Sequence, residues 1–445
     1  MSYFRFLSTH RRLLGFGLLM ALSSSFGQTF FISLFLPYFL SEFSLDNGEF
    51  GFLYAGSTLL GALCLPYLGR RIDALELRRY TTFTVLGLAT AALVVAFSPH
   101  VVLLAAGIVG LRLTGQGLLG HISQTVMARE FFTDRGKALG FASLGYPLGE
   151  GILPLACAVA LRFVSWPTVW VVVAVGAATV ILPLALRLLR LPPAQSAVSS
   201  SPAKKGRAFA TDPQRSPWRD ARLYKALPTV LLPPFVMTGM FLYQMPLSEA
   251  KGWAPEWMAA AFTGFAASRA LSSLAVGPLI DRFSATRLLA FYLLPLGAGL
   301  LLVRVGSAPW IAFPYLLLAG VTAGANGSIA SAMWAEIYGV ANLGRVRSVV
   351  ASLAVVCAAG SPAVMGALFH RGVRLEAMVS GAIALVVAAS LSAAPVFLSE
   401  LRRASRRGAT DGASACSSAS DHSAEWAEEE SPEGVGLNRT QASEA

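Results

Sequence analysis

Gly69-Arg70-Arg71-Ile72-Asp73, followed by Arg78-Arg79, and Gly277-Pro278-Leu279-Ile280-Asp281, followed by Arg282 and Arg287, are two copies of one short pattern. Each copy closes an apolar segment just before the next begins. The two glycines lie 208 residues apart in a chain of 445, close to half its length. Pro154 and Pro362 keep that offset, as do Gly136 and Gly344, while Ala142-Ser143-Leu144 matches Ala351-Ser352-Leu353 at 209. Several matches in the same order argue duplication, and so a membrane protein made of two similar halves.

Composition agrees. The chain is 55% hydrophobic and only 13% charged, with a mean hydropathy of +0.61, whereas soluble domains carry about 25% charged residues. Windows of about 20 residues place twelve apolar spans at 13–39, 47–68, 80–97, 101–129, 138–160, 166–189, 226–247, 257–280, 288–304, 309–336, 348–369 and 375–398. The expected architecture is all-α, with twelve transmembrane helices in two pseudo-symmetric six-helix halves. Its parts are a cytoplasmic N-terminus at 1–12, halves at 13–189 and 226–398, a cytoplasmic linker at 190–225 and a disordered tail at 399–445. The first span is too long for a signal-peptide core and lacks a cleavage site after it, so it is expected to stay.

A net charge of +11 raises the question of nucleic acid, and the distribution of charge answers it. With the N-terminus inside, 28 of the 35 Lys and Arg fall in cytoplasmic segments and 5 in external loops, and Arg112 and Arg269 lie within spans. That asymmetry is the positive-inside rule. Both termini are expected in the cytoplasm, in a plasma or bacterial inner membrane, with the bilayer and not nucleic acid as partner; a monomer is expected.

Signals for other chemistry are missing. Gly115-Gln116-Gly117-Leu118-Leu119-Gly120 fits a dinucleotide fingerprint but falls inside a membrane helix, so it reads as packing. There is no Walker loop, H-E-x-x-H or G-x-S-x-G, and the scattered histidines and cysteines make no metal site or disulfide framework. Neither an enzyme nor a cofactor is expected.

Buried charge is costly in a bilayer, about 2.5–3.5 kcal/mol for an Arg at the centre on insertion scales, so the few ionisable residues deep in the spans are informative. Arg112, Glu150 and Arg269 each sit near the midplane. Arg269 can grip a carboxylate through two parallel hydrogen bonds, and Ser272 and Ser273 share its helix face by spacing. Glu150 is its natural counter-charge and a candidate proton-coupling group or interhelix partner, as is Arg112. Gln28, Tyr243, Gln244 and Asn326 are the expected polar liners of a substrate cavity.

The loop pattern resembles that of the major facilitator superfamily, with Gly69, Asp73, Arg78 and Arg79 in one copy and Gly277, Asp281, Arg282 and Arg287 in the other. Ala74 replaces the usual basic residue, and Glu76 and Ser284 stand where a second glycine is common. Arg112-x-x-x-Gln116-Gly117 is similar to a further motif of that family, and so is Gly145-Tyr146-Pro147-Leu148-Gly149-Glu150-Gly151, in which the glycines let helices approach closely. The resemblance implies an alternating-access transporter in which the loop pattern is a gate, helices 1, 4, 7 and 10 line the cavity, and helices 5 and 8 face each other. Arg269 resembles the arginine of helix eight in the monocarboxylate and oxalate/formate branches, and span eleven lacks the lysine of the dicarboxylate exchanger. The expectation is secondary transport of a small organic anion, a monocarboxylate, with protons. The alternatives are a drug or neutral-solute transporter of the same fold and, from another class, a membrane receptor or membrane-embedded enzyme.

Overall fold

The structure, a computed structural model, describes residues 3–131, 134–189 and 220–395. The expectations for most of the linker at 190–225 and for the tail at 399–445 lie outside the described residues. Among those described, regular structure is helical throughout. Ten helices are long and apolar enough to cross a membrane. We number them with the two that complete the series: α1 (Arg11–Gly27 with Thr29–Glu42), α2 (Asn47–Asp73), α3 (Leu77–Ala96), α4 (Val101–Glu130), α5 (Gly136–Ala160), α6 (Trp166–Leu188), α7 (Ala221–Leu242), α8 (Pro255–Phe283), α9 (Leu294–Val305), α10 (Pro309–Tyr338), α11 (Val349–His370) and α12 (Leu375–Pro395). Their outer surface carries side chains such as Leu63, Phe83, Val102 and Leu391, each more than 65% exposed. Such a coat is stable in lipid and unfavourable in water.

Two elements differ from the apolar windows. The ninth span is expected at 288–304, but helix α9 starts only at Leu294, after a turn at 289–293. Pro295 has no amide hydrogen to donate and restricts the residue before it, so the helix restarts there. Between α10 and α11 the expected loop is helical. Residues 339–348 have helical backbone, with no proline between Pro314 and Pro362, and join two separate spans, Pro309–Tyr338 and Val349–His370. Yet the outer ends of these two spans lie at one end of the bundle. Ser307, just before α10, accepts from Trp253 Nε1 (2.6 Å), and Lys251 donates to Gly306 O. His370, at the end of α11, meets Asp46 of the α1–α2 loop. The chain therefore reverses between α10 and α11. We call this end of the bundle the far end, and the end carrying Gly69–Arg79 the terminal end.

Helix α1 is bent by 45° at Gln28. A 3-10 turn covers Ser24–Gly27, and Gln28 then leaves the helical region (φ −84°, ψ 154°). Gly27 is required here because α4 comes so close that a Cβ would overlap the Leu111 carbonyl and the Gln116 amide. Helix α4 widens in turn to a π-helix over Arg112–Leu119. In a bilayer the carbonyl freed by such a bend has no water to satisfy it. Arg112 Nη1 supplies the bond, reaching Gly27 O at 3.1 Å and Thr29 Oγ1 at 3.3 Å.

Candidate functional site

Three layers of contact join the two halves, and the midplane layer is charged. Arg269 of α8 donates from Nη1 to Glu150 Oε1 of α5. Glu150 is nearly enclosed (9% exposed), Arg269 is about a third exposed (32%), and Glu150 Oε2 has no partner among the described residues. The glycines around Glu150 make this approach possible. Gly145 lies against the backbone of α1 at Leu18 and Leu22, and Gly149 against Ser25. Gly151, on the opposite side, would place a Cβ 3.2 Å from Ala266 of α8. The two sides of α5 thus pack close on both halves, and the carboxylate lies between them. The serines expected to share the face of Arg269 point elsewhere: Ser272 Oγ donates to Val321 O (2.8 Å) and Ser273 Oγ to Ala270 O.

Arg112 is buried beside the α1 bend. Its guanidinium carbon lies 5.3 Å from the centre of the Tyr54 ring, and Tyr54 OH donates to Thr29 Oγ1 at 3.0 Å. The hydrogen bonds and ring contact of Arg112 are with neutral groups of α1 and α2, and its Nε is buried without a partner among the described residues. The geometry makes it the clasp of a broken helix. Gln28 marks the bend itself and is half-buried. Asn326 sits within the second half, where Tyr292 OH lies 3.0 Å from its Oδ1.

Tyr243 and Gln244, expected as cavity liners, are used to join the halves nearer the far end. Tyr243 OH bonds Asn47 O (2.8 Å) and Pro362 O (3.1 Å). Gln244 Nε2 donates to Phe30 O (3.1 Å) and Ser33 Oγ (2.6 Å). Two side-chain contacts complete the closure. Arg162 Nη2 meets Glu256 Oε1 at 2.7 Å, and His370 Nδ1 meets Asp46 Oδ2 at 2.9 Å. Asp46 also caps α2: its Oδ1 accepts from Glu49 N (2.7 Å), and Glu49 returns a bond to Asp46 N. The Glu49 amide first, and His370 second, hold the Asp46 carboxyl below its ordinary value.

At the terminal end, the repeated loop pattern makes different contacts in its two copies. Asp73 pairs with Arg129 of α4, while Gly69 packs on the His121 ring. Arg79 faces its neighbour Glu76 at 3.6 Å, and Arg78 is exposed. In the second copy Gly277 has open space around it, Asp281 is exposed, and Arg282 lies over the Phe283 ring. Arg287 is held through its amide, 3.4 Å from Ser284 Oγ. The anchoring carboxylate here is Glu336 of α10, which accepts from the Ala285 and Thr286 amides (2.8 and 2.9 Å) and from Thr286 Oγ1. Sequence reading missed Glu336; its one signal was an acid at the end of an apolar span. Tyr146 was missed too. It lies one turn before Glu150 on α5 and interacts with Gln124 and with the Arg269 and Glu150 charges.

The Major Facilitator Superfamily matches this chain over residues 17–266. No curated protein matches it. Among solved structures, it is similar to a bacterial homolog of the human lysosomal transporter Spinster. The inward-facing, occupied conformation of that protein gives a TM-score of 0.63 at 15% identity, over 90% of this chain and 97% of that one. The inward-facing, unoccupied conformation gives 0.61 at 15% identity, over 87% and 96%. A mutant of the nucleoside transporter NupG gives 0.66 at 12% identity, over 87% and 99%.

Proposed function

The chain belongs to the major facilitator superfamily, and from that premise we propose that it moves a small organic anion, a monocarboxylate, together with protons by alternating access. The observation that carries this reading is the Arg269–Glu150 pair, the one charged contact between the halves among the described residues that lies midway along the spans. An arginine held only by a carboxylate can exchange that partner for the carboxylate of a substrate with the same two-pronged geometry. Glu150, released into a largely enclosed site, then takes a proton. Substrate binding and protonation become linked through one partner exchange. In this reading Gln28, at the α1 bend, and Asn326, bonded to Tyr292 in the second half, are candidate polar liners, and Arg112 keeps the bent α1 in shape.

In this reading the halves are residues 13–189 and 226–398, and they rock about the midplane pair. The contacts of Tyr243, Gln244, Asp46 and Arg162 form the outer gate, closed in this conformation, and Asp73–Arg129 belongs to the inner one. The lopsided Lys and Arg count supports cytoplasmic termini. In a background without the four native cysteines, Cys at His100 should react with an impermeant thiol reagent added outside cells, and Cys at Ala74 should not.

The deciding experiment is uptake of labelled monocarboxylates into proteoliposomes under an imposed pH gradient. Arg269→Ala and Arg269→Lys should both abolish it, because lysine lacks the planar fork. Glu150→Gln should flatten the pH dependence of net uptake and spare exchange. Wild-type affinity for the transported solute in Arg269→Ala would remove the anion reading and leave a drug or neutral solute as cargo.

A further inference from the structure

Helix α8 presents Arg269 to α5 on one side and forms the wall of a lateral trough on another. This cavity, about 640 Å³, lies between α8, α10 and the residues leading into α9. It is within the range of about 300–1,000 Å³ typical of ligand sites. The α8 wall runs from Gly264 to Leu279 and is floored by small residues, Gly264, Ala267 and Ala275; Leu317, Val321, Ala325 and Ile329 of α10 face it at helical spacing. The fifteen helical rises from Gly264 to Leu279 make a trough about 22 Å long, longer than the roughly 15 Å of one leaflet's hydrocarbon. The trough exists because α9 begins late: the turn at 289–293 leaves open what a full-length helix would cover.

The wall offers nothing polar to an occupant. Ser268 Oγ is bonded to Phe265 O, Ser272 Oγ to Val321 O, and Tyr292 OH to Thr229 O (2.6 Å) and Asn326 Oδ1. A water molecule there would lack the two to four partners it needs. The rim is apolar and open to the side, with Leu271 68% and Leu317 45% exposed. The terminal end carries two arginines. Arg282 follows Leu279 by three residues on the same helix, and Arg287 precedes Leu288, which lines the trough. Two acids stand near them: Glu336 is engaged by the Ala285 and Thr286 amides and Thr286 Oγ1, and neither Glu336 nor Asp281 forms an ion pair with Arg282 or Arg287 among the described residues, so both guanidinium groups are available to an anionic headgroup.

We propose that this trough is a lipid site, holding one acyl chain of an anionic bilayer phospholipid whose headgroup rests on Arg282 and Arg287. The chain length, the carbon-only wall and the cations at one end fit that amphiphile. The test is native mass spectrometry of the full-length protein in detergent, offered equimolar palmitoyl-oleoyl phosphatidylglycerol and phosphatidylcholine, and separately dihexanoyl phosphatidylglycerol. Wild type should retain one phosphatidylglycerol under activation that strips all other lipid, and should not retain the short-chain form. Ala275→Trp, which fills the trough, should cut that occupancy at least fivefold. Arg282→Gln with Arg287→Gln should keep one lipid bound and reduce the preference for phosphatidylglycerol to under twofold. If Ala275→Trp loses its cooperative thermal transition, Ala267→Leu replaces it with the same expected loss. Unchanged occupancy in the folded filling variant, or equal retention of the short-chain lipid, overturns the site. Equal retention of phosphatidylcholine by wild type overturns the headgroup assignment. The readout is bound lipid, so it is independent of which solute is transported.

Discussion

Removing Arg269 should destabilise the protein far more than removing the pair. Glu150 Oε1 has Arg269 as its partner and Oε2 has none, and the side chain is only 9% exposed. Arg269→Ala therefore leaves an enclosed carboxylate without a hydrogen bond. Breaking a buried ion pair from one side costs about 3–5 kcal/mol. Because Arg269 is itself about a third exposed (32%), water already weakens the pair, and about 3 kcal/mol is the expected loss. Glu150→Gln leaves a cation that can still reach solvent, at about 1 kcal/mol. The double variant Arg269→Ala with Glu150→Gln should lose only about 1–2 kcal/mol, since no charge is stranded, which makes a coupling energy of about 2–3 kcal/mol. The assay is denaturant or thermal unfolding of all four proteins in one detergent at neutral pH, followed by tryptophan fluorescence. Additive single losses, or an Arg269→Ala loss below about 0.5 kcal/mol, would show that the carboxylate is solvated and the pair carries little energy.

Other outcomes follow from the same geometry. Asp46→Ala should cost about 1 kcal/mol more than Asp46→Asn, which keeps a capping acceptor while losing the carboxylate that meets His370. The Asp46 carboxyl is held below its ordinary value of 3.8, so its contribution is complete above that value and is lost as pH falls through the lowered one. Melting temperature should thus drop more steeply with acid in wild type than in Asp46→Asn. Ser284 has φ +67°, so Ser284→Gly should stabilise by up to about 1 kcal/mol in thermal unfolding, and Ser284→Val should destabilise. Asp73→Asn breaks a pair whose side chains are 61% and 48% exposed. It should change stability by less than about 1 kcal/mol, slow transport in proteoliposomes and leave substrate affinity within a few-fold.

Much of the fold could be read before the structure because a bilayer imposes a coarse rule: a span must be long and apolar, and a charge inside it must have a partner. The rule located Glu150 and Arg269 by depth alone, and the family resemblance set their helices face to face. It fails where apolar residues do something other than continue a helix. Leu289 to Leu293, four of them large and apolar or aromatic, form a turn, which hydropathy cannot distinguish from helix. The bend at Gln28 has no proline to announce it. Its cause is the close crossing of Gly27 and α4, which becomes visible only when both helices are placed. Tyr243 and Gln244 were legible as polar groups in a span, but their acceptors are backbone carbonyls at Asn47, Pro362 and Phe30. Every residue has such a carbonyl, so no side-chain pattern could mark them. The exchange of Asp281 for Glu336 as anchor in the second copy has the same origin, a choice of partner made in three dimensions.

The glycines flanking Glu150 have a mechanical consequence. Gly145 and Gly149 seat α5 directly on α1, where a Cβ would overlap backbone and the Ser25 side chain, whereas Gly151 faces the Ala266 methyl at 3.2 Å and the Thr263 Cα at 3.9 Å across the boundary between halves. One helix therefore carries a weld on one side and a bearing on the other, two residues apart. Bulk added at the weld would force α5 off α1, while a methyl added at the bearing crowds Ala266 at 3.2 Å in this conformation and would be relieved by motion that carries α8 away from α5. Position 151 is thus where a single methyl group would bias the packing of α5 on α8 while leaving the Arg269 and Glu150 charges in place.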